Sequence, residues 1–194
     1  MTRAEELELI QRATAGDAAA AEAFIRAYQG SLYSYLLRMC GHPEMAEDIV
    51  QEAFIRVLTN LDRFDPRFRF STWLFTIAKR LYMNAAQRSR PAYDSELVGS
   101  FEGVAPLPET SAIREESGCN LRDALQAALM MLPAEQREVV VLFHQQDWPI
   151  WLIAQHMQMP EGTVKSHLHR GRKKLRRVLD ASEKHTQHVG EIWV

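Results

Sequence analysis

Hydrophobic residues recur along this chain at the three- and four-residue spacing of α-helices, and the alternating pattern of strands is almost absent. Within residues 46–58 and again within 73–81, the apolar side chains fall on one side of a helix. Four prolines mark predicted helix starts, since Pro is tolerated in a first turn: Pro43, Pro133, Pro149 and Pro160. The pattern predicts an all-α fold with helices over residues 3–14, 18–40, 44–60, 71–89, 119–131, 134–145, 149–157 and 161–178.

One stretch interrupts the periodicity. Residues 91–118 contain three prolines, three glycines and six acidic residues against a single arginine. Nearly thirty unpatterned residues are unusual inside one compact domain, so a flexible acidic linker is the simpler interpretation. The sequence therefore predicts two small helical domains, 1–90 and 119–180, joined by the linker 91–118 and followed by a C-terminal tail, 181–194.

Charge is strongly segregated along the chain, although the formal net charge is only −2. Residues 63–90 carry seven Lys and Arg against Asp65 alone, and residues 161–194 carry eight against four acidic residues. The remaining segments are acidic on balance. Two separate basic blocks are a better guide to binding partners than the average, and each block alone is either a solvated helix face or a surface for nucleic acid.

Several classes of protein are disfavoured by the composition. No apolar run approaches the ~20 residues of a membrane helix, and the acidic start lacks the apolar segment of a signal peptide, so we expect a cytoplasmic protein without direct membrane insertion. Cys40 and Cys119 cannot form a disulfide scaffold or a four-ligand zinc site by themselves. No nucleophile–base pair or phosphate-binding Gly loop is visible. We therefore expect no enzyme, catalytic residue, metal or cofactor.

Residues 149–178 have the pattern of a helix-turn-helix. Ile153, Ala154, Val164 and Leu168 would form its small core. The polar side chains of the second helix would then face base edges in the major groove, and the basic residues after them would contact phosphates. These predicted contacts are Thr163, Lys165, Ser166, His169, Arg170, Arg172 and Lys173. The alternative is a helical hairpin with a basic, solvated face.

Arginines alternate with aromatic residues between Arg63 and Trp73, and Lys79, Arg80 and Asn84 follow one helix further on. Cations, amides and aromatic rings together suit single-stranded nucleic acid, whose unstacked bases rest on such groups. Phe64, Phe70 and Trp73 are nevertheless more often core residues than stacking platforms.

Upstream, four polar residues share one helix face that is either solvated or a docking surface for a basic partner: Glu47, Asp48, Gln51 and Glu52.

Taken together, these motifs resemble a bacterial protein family. Residues 46–54, 64–67 and 70–78 are similar to the promoter-melting domain of extracytoplasmic-function sigma factors, members of the sigma-70 family. Residues 132–139 and 153–170 resemble the C-terminal domain of the same family. The resemblance covers nearly the whole chain, with the motifs in the family's order on both sides of the linker.

The resemblance implies a role for each candidate residue. Glu47, Asp48, Gln51 and Glu52 match the helix that docks on the β′ clamp helices of core RNA polymerase, and the second domain would contact the β flap. The single-stranded −10 element would be bound by Arg63, Arg67, Arg69, Ser71, Trp73, Lys79, Arg80 and Asn84. The −35 duplex would be read by the second helix of the helix-turn-helix. An anti-sigma factor typically controls such proteins.

Some positions depart from the family pattern. Arg80 stands where Asn is common, Asn84 where Asp is common, and His167 where Arg is usual. The first two bear on −10 preference, and the third should weaken one contact to the DNA backbone at neutral pH.

Two other interpretations remain: a helix-turn-helix repressor binding a palindrome by itself, and a metalloenzyme built on the seven histidines. His167 and His169 diverge on a helix, which disfavours the latter.

Overall fold

Two groups of helices make up the fold. The computed structural model describes residues 2–88 and 118–181, and within these residues every regular element is a helix. The chain divides into two compact units, unit 1 within residues 1–93 and unit 2 within residues 94–194. Each unit buries its own set of hydrophobic side chains. The predicted all-α fold with two small helical parts is confirmed.

Unit 1 contains α1 (Arg3–Thr14), α2 (Ala18–Cys40), α3 (Pro43–Thr59), a 3₁₀ turn (Leu61–Arg63) and α4 (Phe70–Arg88). Asp17 caps α2, because its carboxylate accepts hydrogen bonds from two backbone N–H groups of the first turn. Gly41 ends the same helix with a φ of 76°, a left-handed conformation that costs glycine little. Pro43 is the first residue of α3, as predicted.

Helix α2 is the centre of unit 1, since it packs against α1, α3 and α4. The hydrophobic periodicity of the sequence appears here as one continuous core. Its fully buried large side chains are Phe24, Leu32, Tyr35, Leu36, Val57, Phe70, Leu74 and Phe75. Burying each such side chain contributes about 1.5–3 kcal/mol. The Tyr82 hydroxyl also donates a 3.1 Å hydrogen bond to the Met39 carbonyl, which ties α4 to α2.

Unit 2 contains α5 (Gly118–Met130), α6 (Ala134–His144), α7 (Ile150–Met157) and α8 (Glu161–Ala181). The long helix α8 packs against each of the other three. Gly171 makes this packing possible: a Cβ at this position would lie 2.7 Å from Cγ2 of Val140 on α6. The absence of a side chain at Gly171 therefore sets how closely α8 approaches α6.

A buried arginine closes the connection between α5 and α6. The Arg137 guanidinium donates hydrogen bonds to the carbonyls of Leu129 (2.9 Å), Met130 (3.1 Å) and Leu132 (3.1 Å). These carbonyls lie at or just after the end of α5, where no intrahelical donor is available. Arg137 is only 3% exposed, so its fork of N–H groups takes the place of water at this helix end.

A second buried polar contact holds α7 against α6. His156 Nε2 and Glu138 Oε1 are 2.9 Å apart, and both side chains are almost fully buried. The Trp148 ring meets the His156 ring edge-on at 5.4 Å between centroids. Since α7 is the first helix of the predicted helix-turn-helix, this pair fixes that helix on the body of unit 2.

The predicted helix bounds agree with the structure to within one residue, except that α8 extends to Ala181 instead of 178. The 3₁₀ turn was not predicted, and Pro133, Pro149 and Pro160 precede their helices by one residue. Most of the predicted linker (91–117) and tail (182–194) lie outside the described residues. None of the helices in the described part of the chain has the length and apolarity needed to cross a membrane.

Candidate nucleic-acid interface

Helices α7 and α8 form a helix-turn-helix. Gln158 adopts a left-handed conformation with a φ of 55°, which turns the chain sharply after α7. The Met159 N–H then donates a 3.1 Å hydrogen bond back to the Ala154 carbonyl, and α8 begins three residues after the turn residue. Ile153 and Val164 are fully buried between the two helices. The predicted core of this motif is thus formed, although Ala154 is only half-buried.

The predicted contact residues of α8 lie on its solvent-exposed side. Lys165, Ser166, His169, Arg170 and Lys173 are all exposed, whereas Thr163 is half-buried. The Ser166 hydroxyl donates a 2.9 Å hydrogen bond to a backbone carbonyl one turn earlier, so it can present only its lone pairs outward. The exposed residues recur at spacings of three and four, so one face of α8 carries polar and cationic groups over more than two turns.

Arg172, the other predicted contact on α8, is held in place by two residues of α6. Its Nε–H donates a 2.8 Å hydrogen bond to Nε2 of His144 on α6, and its guanidinium lies 5.2 Å from the centre of the Phe143 ring. Burial and the nearby Arg172 charge lower the pKa of His144 to about 4, while Asp147 opposes this shift. His144 is therefore neutral at physiological pH and can accept the bond.

His167 lies against α6 and not with the contact residues of α8. Its side chain is 17% exposed, and its Nε2 lies 3.6 Å from a carboxylate oxygen of Glu135. Its Nδ1 is buried without a hydrogen-bond partner in the described part of the chain. The predicted weakening of a DNA-backbone contact by His167 stays a prediction, and in this chain the residue also packs between α6 and α8.

In unit 1 the aromatic residues of the basic block form a cluster. Phe64 and Phe70 are buried with their ring centroids 5.5 Å apart, and Trp73 packs 5.4 Å from Phe64 and 5.7 Å from Phe70. These rings serve as core, the alternative that sequence statistics favoured, while Trp73 keeps part of its surface accessible. Phe68 is different, since 47% of it is exposed.

The loop that carries Phe68 is anchored by the first helix. The Arg3 guanidinium donates hydrogen bonds to the carbonyls of Pro66 and Phe68, the latter at 3.2 Å. Asp65 turns back on Arg67, accepting from its backbone N–H at 2.9 Å and from its guanidinium at 2.6 Å. This pairing lowers the pKa of Asp65 and raises that of Arg67. The loop therefore holds a defined shape with the Phe68 ring outward.

Predicted −10 residues occupy two sides of α4. Trp73, Arg80 and Asn84 are spaced by seven and four residues, which places them on one stripe of the helix. Arg80 and Asn84 are exposed, whereas Lys79 is half-buried and lies on another side. Before α4, the side chains of Arg63, Arg67 and Arg69 are exposed and Ser71 is half-buried. The structure thus groups most of these residues around the loop and one stripe of α4.

The polar face of α3 lies toward solvent. Glu47, Asp48 and Gln51 are exposed, and Glu52 is half-buried and accepts a 2.6 Å bond from Arg56 one turn later. A groove of about 240 Å³ runs between α3 and α4, and Asp48, Glu52 and Asn84 line part of it. Residues predicted to contact polymerase and a residue predicted to contact −10 DNA therefore border the same groove.

Five large apolar residues of the described chain are exposed, and sequence reasoning singled out none of them as exposed: Ile55, Phe68, Met83, Met131 and Trp151. Ile55 is 61% exposed and lies on the same side of α3 as Asp48 and Gln51, seven and four residues after them. Phe68 stands out in the sequence only as part of the loop, and Trp151 on α7 is 49% exposed. A helical wheel of α3 centred on its buried residues would have found Ile55. Nothing in the sequence separates Phe68 from Phe64 and Phe70, because only packing decides which ring faces inward.

Comparisons with known proteins agree with this arrangement. The model of sigma-70 region 2 matches residues 24–91, which cover most of unit 1, and the model of sigma-70 region 4 matches residues 122–175, which include the helix-turn-helix. These matches define the chain as a two-part transcription initiation factor of the sigma-70 type.

Curated relatives narrow the family further. The chain is 35% identical over 181 residues to the ECF RNA polymerase sigma factor SigW of Bacillus subtilis, covering 88% of this chain and 94% of that protein. It is 32% identical over 171 residues to the ECF RNA polymerase sigma factor SigL of Mycobacterium tuberculosis, with coverage of 88% and 94%. The chain belongs to the extracytoplasmic-function (ECF) RNA polymerase sigma factors.

Solved structures show the same fold. The sigma factor RpoE of Bartonella quintana, in a complex with the anti-sigma factor NepR, superposes with a TM-score of 0.63 at 25% identity, covering 83% of this chain and 97% of that one. CnrH in complex with the cytosolic domain of CnrY gives a TM-score of 0.67 at 24% identity, covering 90% and 96%.

Proposed function

We propose that this chain directs core RNA polymerase to a specific set of promoters by binding the polymerase and recognising two DNA elements in different states. Unit 2 reads the −35 element as duplex, and unit 1 binds the −10 element as single strand. The polymerase carries out RNA synthesis, so no catalytic group is assigned to this chain. The protein would act in the cytoplasm, where polymerase and promoter DNA meet.

The observation that carries the proposal is the exposed polar and cationic face of α8 beside a buried helix-turn-helix core. Lys165, Ser166, His169 and Arg170 are exposed near the N-terminal half of the helix, the part that enters a major groove in this motif. Arg and Lys can donate to guanine edges, and the Ser166 hydroxyl, whose proton is already donated to a backbone carbonyl, can accept from a base. Arg172 and Lys173 follow with charges suited to phosphates.

For the −10 element, support comes from the anchored loop of unit 1. Phe68 is an exposed ring flanked by Arg67 and Arg69, and base stacking on such a ring contributes about 1–3 kcal/mol per base. Opening the duplex costs a few kcal/mol, which capture of an unstacked base can offset. Trp73, Arg80 and Asn84 extend the surface along α4, with Arg63, Ser71 and Lys79 at its edges.

For polymerase docking, support comes from α3. Glu47, Asp48 and Gln51 precede the exposed Ile55 by one to two turns of α3, so the surface combines acidic and amide groups with one apolar side chain. Such a composition suits a basic partner with an apolar contact point, as an interface core excludes water while charges select the partner. We assign this surface, with Glu52 at its edge, to the β′ clamp helices, and a surface of unit 2 to the β flap.

The solved relatives suggest how the factor is controlled. RpoE of Bartonella quintana is described in a complex with an anti-sigma factor, NepR. We extend this to the present chain and propose that an anti-sigma factor holds it away from polymerase until a signal arrives.

Run-off transcription tests the proposed function. Bacterial core polymerase is assayed with and without the purified chain on fragments of DNA from upstream of its own coding sequence. We expect a discrete transcript that depends on the chain, and no stable complex between the chain alone and the promoter duplex. Absence of both a transcript and a complex with core on gel filtration would contradict the proposal. Tight, sequence-specific duplex binding without polymerase would favour a repressor instead.

A further inference from the structure

Arg172 differs from the other basic residues of α8 in that a neutral group holds it in place. Its Nε–H donates to Nε2 of His144 at 2.8 Å, and the guanidinium plane is supported by the Phe143 ring at 5.2 Å. Within the described part of the chain, no hydrogen bond occupies its two Nη groups and no carboxylate pairs with it. The side chain is nevertheless exposed.

The backbone places Arg172 at this point through a close helix contact. Gly171 allows α8 to approach α6 near Val140, and the next residue therefore reaches the last turn of α6, which ends at His144. Arg172 also lies seven residues after Lys165 and three after His169, on the same side of α8 as these exposed residues. It stands at the edge of the face proposed to meet DNA.

The His144 imidazole that holds Arg172 is neutral, and this has an electrostatic consequence. Arg67 in unit 1 is paired with a carboxylate, Asp65, with which a bound anion would have to compete. A neutral imidazole instead orients the guanidinium without cancelling its charge. The planar fork of Arg binds phosphate oxygens well when its orientation is fixed, because less side-chain entropy is then lost on binding.

We propose that His144 and Phe143 are positioning residues that hold Arg172 with its two Nη groups available for a backbone phosphate of the −35 duplex. The inference rests on the proposed function, since it requires α8 to lie in the major groove. It assigns a role to two residues of α6 that do not themselves belong to the helix-turn-helix.

The test is a double-mutant cycle in the holoenzyme. Affinity for a promoter fragment containing the −35 duplex is measured over a range of salt concentrations for Arg172→Gln, His144→Ala and the double variant. Arg172→Gln should weaken binding about tenfold, the effect of removing one charge-assisted hydrogen bond, and lower the salt slope by about 1. His144→Ala should weaken binding severalfold in the wild-type background and have no further effect beside Arg172→Gln. His144→Gln, whose amide oxygen can accept the same bond, should restore most of the affinity.

An equal loss of affinity from His144→Ala in both backgrounds would mean that His144 only stabilises the fold, and the proposal would fail.

A second measurement does not depend on transcription. In the isolated chain, NMR titration of the His144 imidazole should give a pKa that rises in Arg172→Gln; an unchanged titration would overturn the contact itself. If the wild-type chain gives no core-dependent promoter binding while the titration behaves as expected, the proposed function fails and the contact stands.

Discussion

His144 makes unit 2 sensitive to acid in a range that can be stated from its contacts. Its pKa falls from an ordinary 6.5 to about 4 in the folded chain, so between these values the unfolded state binds a proton that the folded state does not. The free energy of unfolding should therefore fall as the pH decreases from about 6.5 to about 4. Two charged groups face the ring and act in opposite directions, since Arg172 lowers the pKa of His144 and Asp147 raises it.

Comparison of the wild-type chain with His144→Gln checks this prediction. The opening free energy of α6 and α8 is measured by amide hydrogen exchange at several pH values, and the difference between the two proteins is taken, because carboxylates elsewhere contribute equally to both. The wild-type chain should lose stability relative to His144→Gln as the pH falls. Parallel pH profiles would show that His144 is not buried in its neutral form.

Phe68 offers a second prediction about a single residue. The residue is 47% exposed, so Phe68→Ala should leave the fold of unit 1 almost unchanged. Loss of base stacking should weaken binding of holoenzyme to a single-stranded −10 oligonucleotide about tenfold, within the range found for other stacking platforms. Phe68→Tyr keeps the ring and serves as the matched control. Unaltered oligonucleotide binding by Phe68→Ala would assign base capture to another group, such as Trp73.

At the scale of elements, two glycines of α8 give a matched pair of substitutions. A Cβ at Gly171 would lie 2.7 Å from Val140 Cγ2, whereas a Cβ at Gly162 would have nothing within 4 Å. Gly171→Ala should destabilise unit 2 by about 1–3 kcal/mol through overpacking, and Gly162→Ala should be neutral or stabilising by up to about 1 kcal/mol. Hydrogen exchange of α6 amides measures both. Adding Val140→Ala should recover part of the stability, and equal effects of the two glycine substitutions would refute the close approach of the helices.

The helices themselves could be predicted from sequence because amphipathic periodicity is a local property, and each is confirmed to within a few residues. The buried polar contacts of unit 2 could not. Arg137 and Glu138 look like the solvated face of a helix, yet Arg137 binds carbonyls five to eight residues away and Glu138 meets His156 eighteen residues later. Only the packing of α5, α6 and α7 decides that these side chains lie inside.

The candidate site was predictable to a similar extent. The exposed residues of α8 followed from the positions of its buried residues, so their exposure is confirmed, while their contacts with DNA stay a prediction. In unit 1 the charge pattern located the right loop but not its orientation. Which of Phe64, Phe68 and Phe70 faces solvent depends on the anchoring of the loop by Arg3, a residue more than sixty positions away.

At the scale of the whole molecule, substitutions should remove polymerase binding by unit 1 and −35 recognition by unit 2 independently of each other. Asp48→Lys together with Glu52→Lys reverses two charges on the α3 surface and places a second cation beside Arg56. This variant should lose association with core polymerase while remaining folded, because Asp48 is exposed, Glu52 is only half-buried, and neither belongs to the core of unit 1. Glu22→Lys on α2 is the control, since Glu22 forms the same kind of exposed pair one turn before Arg26. Core association is measured by gel filtration and by competition with the wild-type chain.

The converse variant completes this test. Lys165→Ala with Arg170→Ala removes two exposed cations from α8 without touching its buried residues, so association with core should stay intact. Recognition of the −35 element should weaken by about 1–3 kcal/mol for each base that the truncated side chains no longer reach. The variant should therefore lose more transcription from the matched promoter than from a promoter whose −35 element is already mismatched at that base. The assignment of polymerase binding to unit 1 and −35 recognition to unit 2 would be contradicted if this variant lost core binding, or if its transcription still discriminated normally between −35 sequences. Core binding retained by the α3 variant would also contradict it, because polymerase would then be bound by residues other than Asp48 and Glu52.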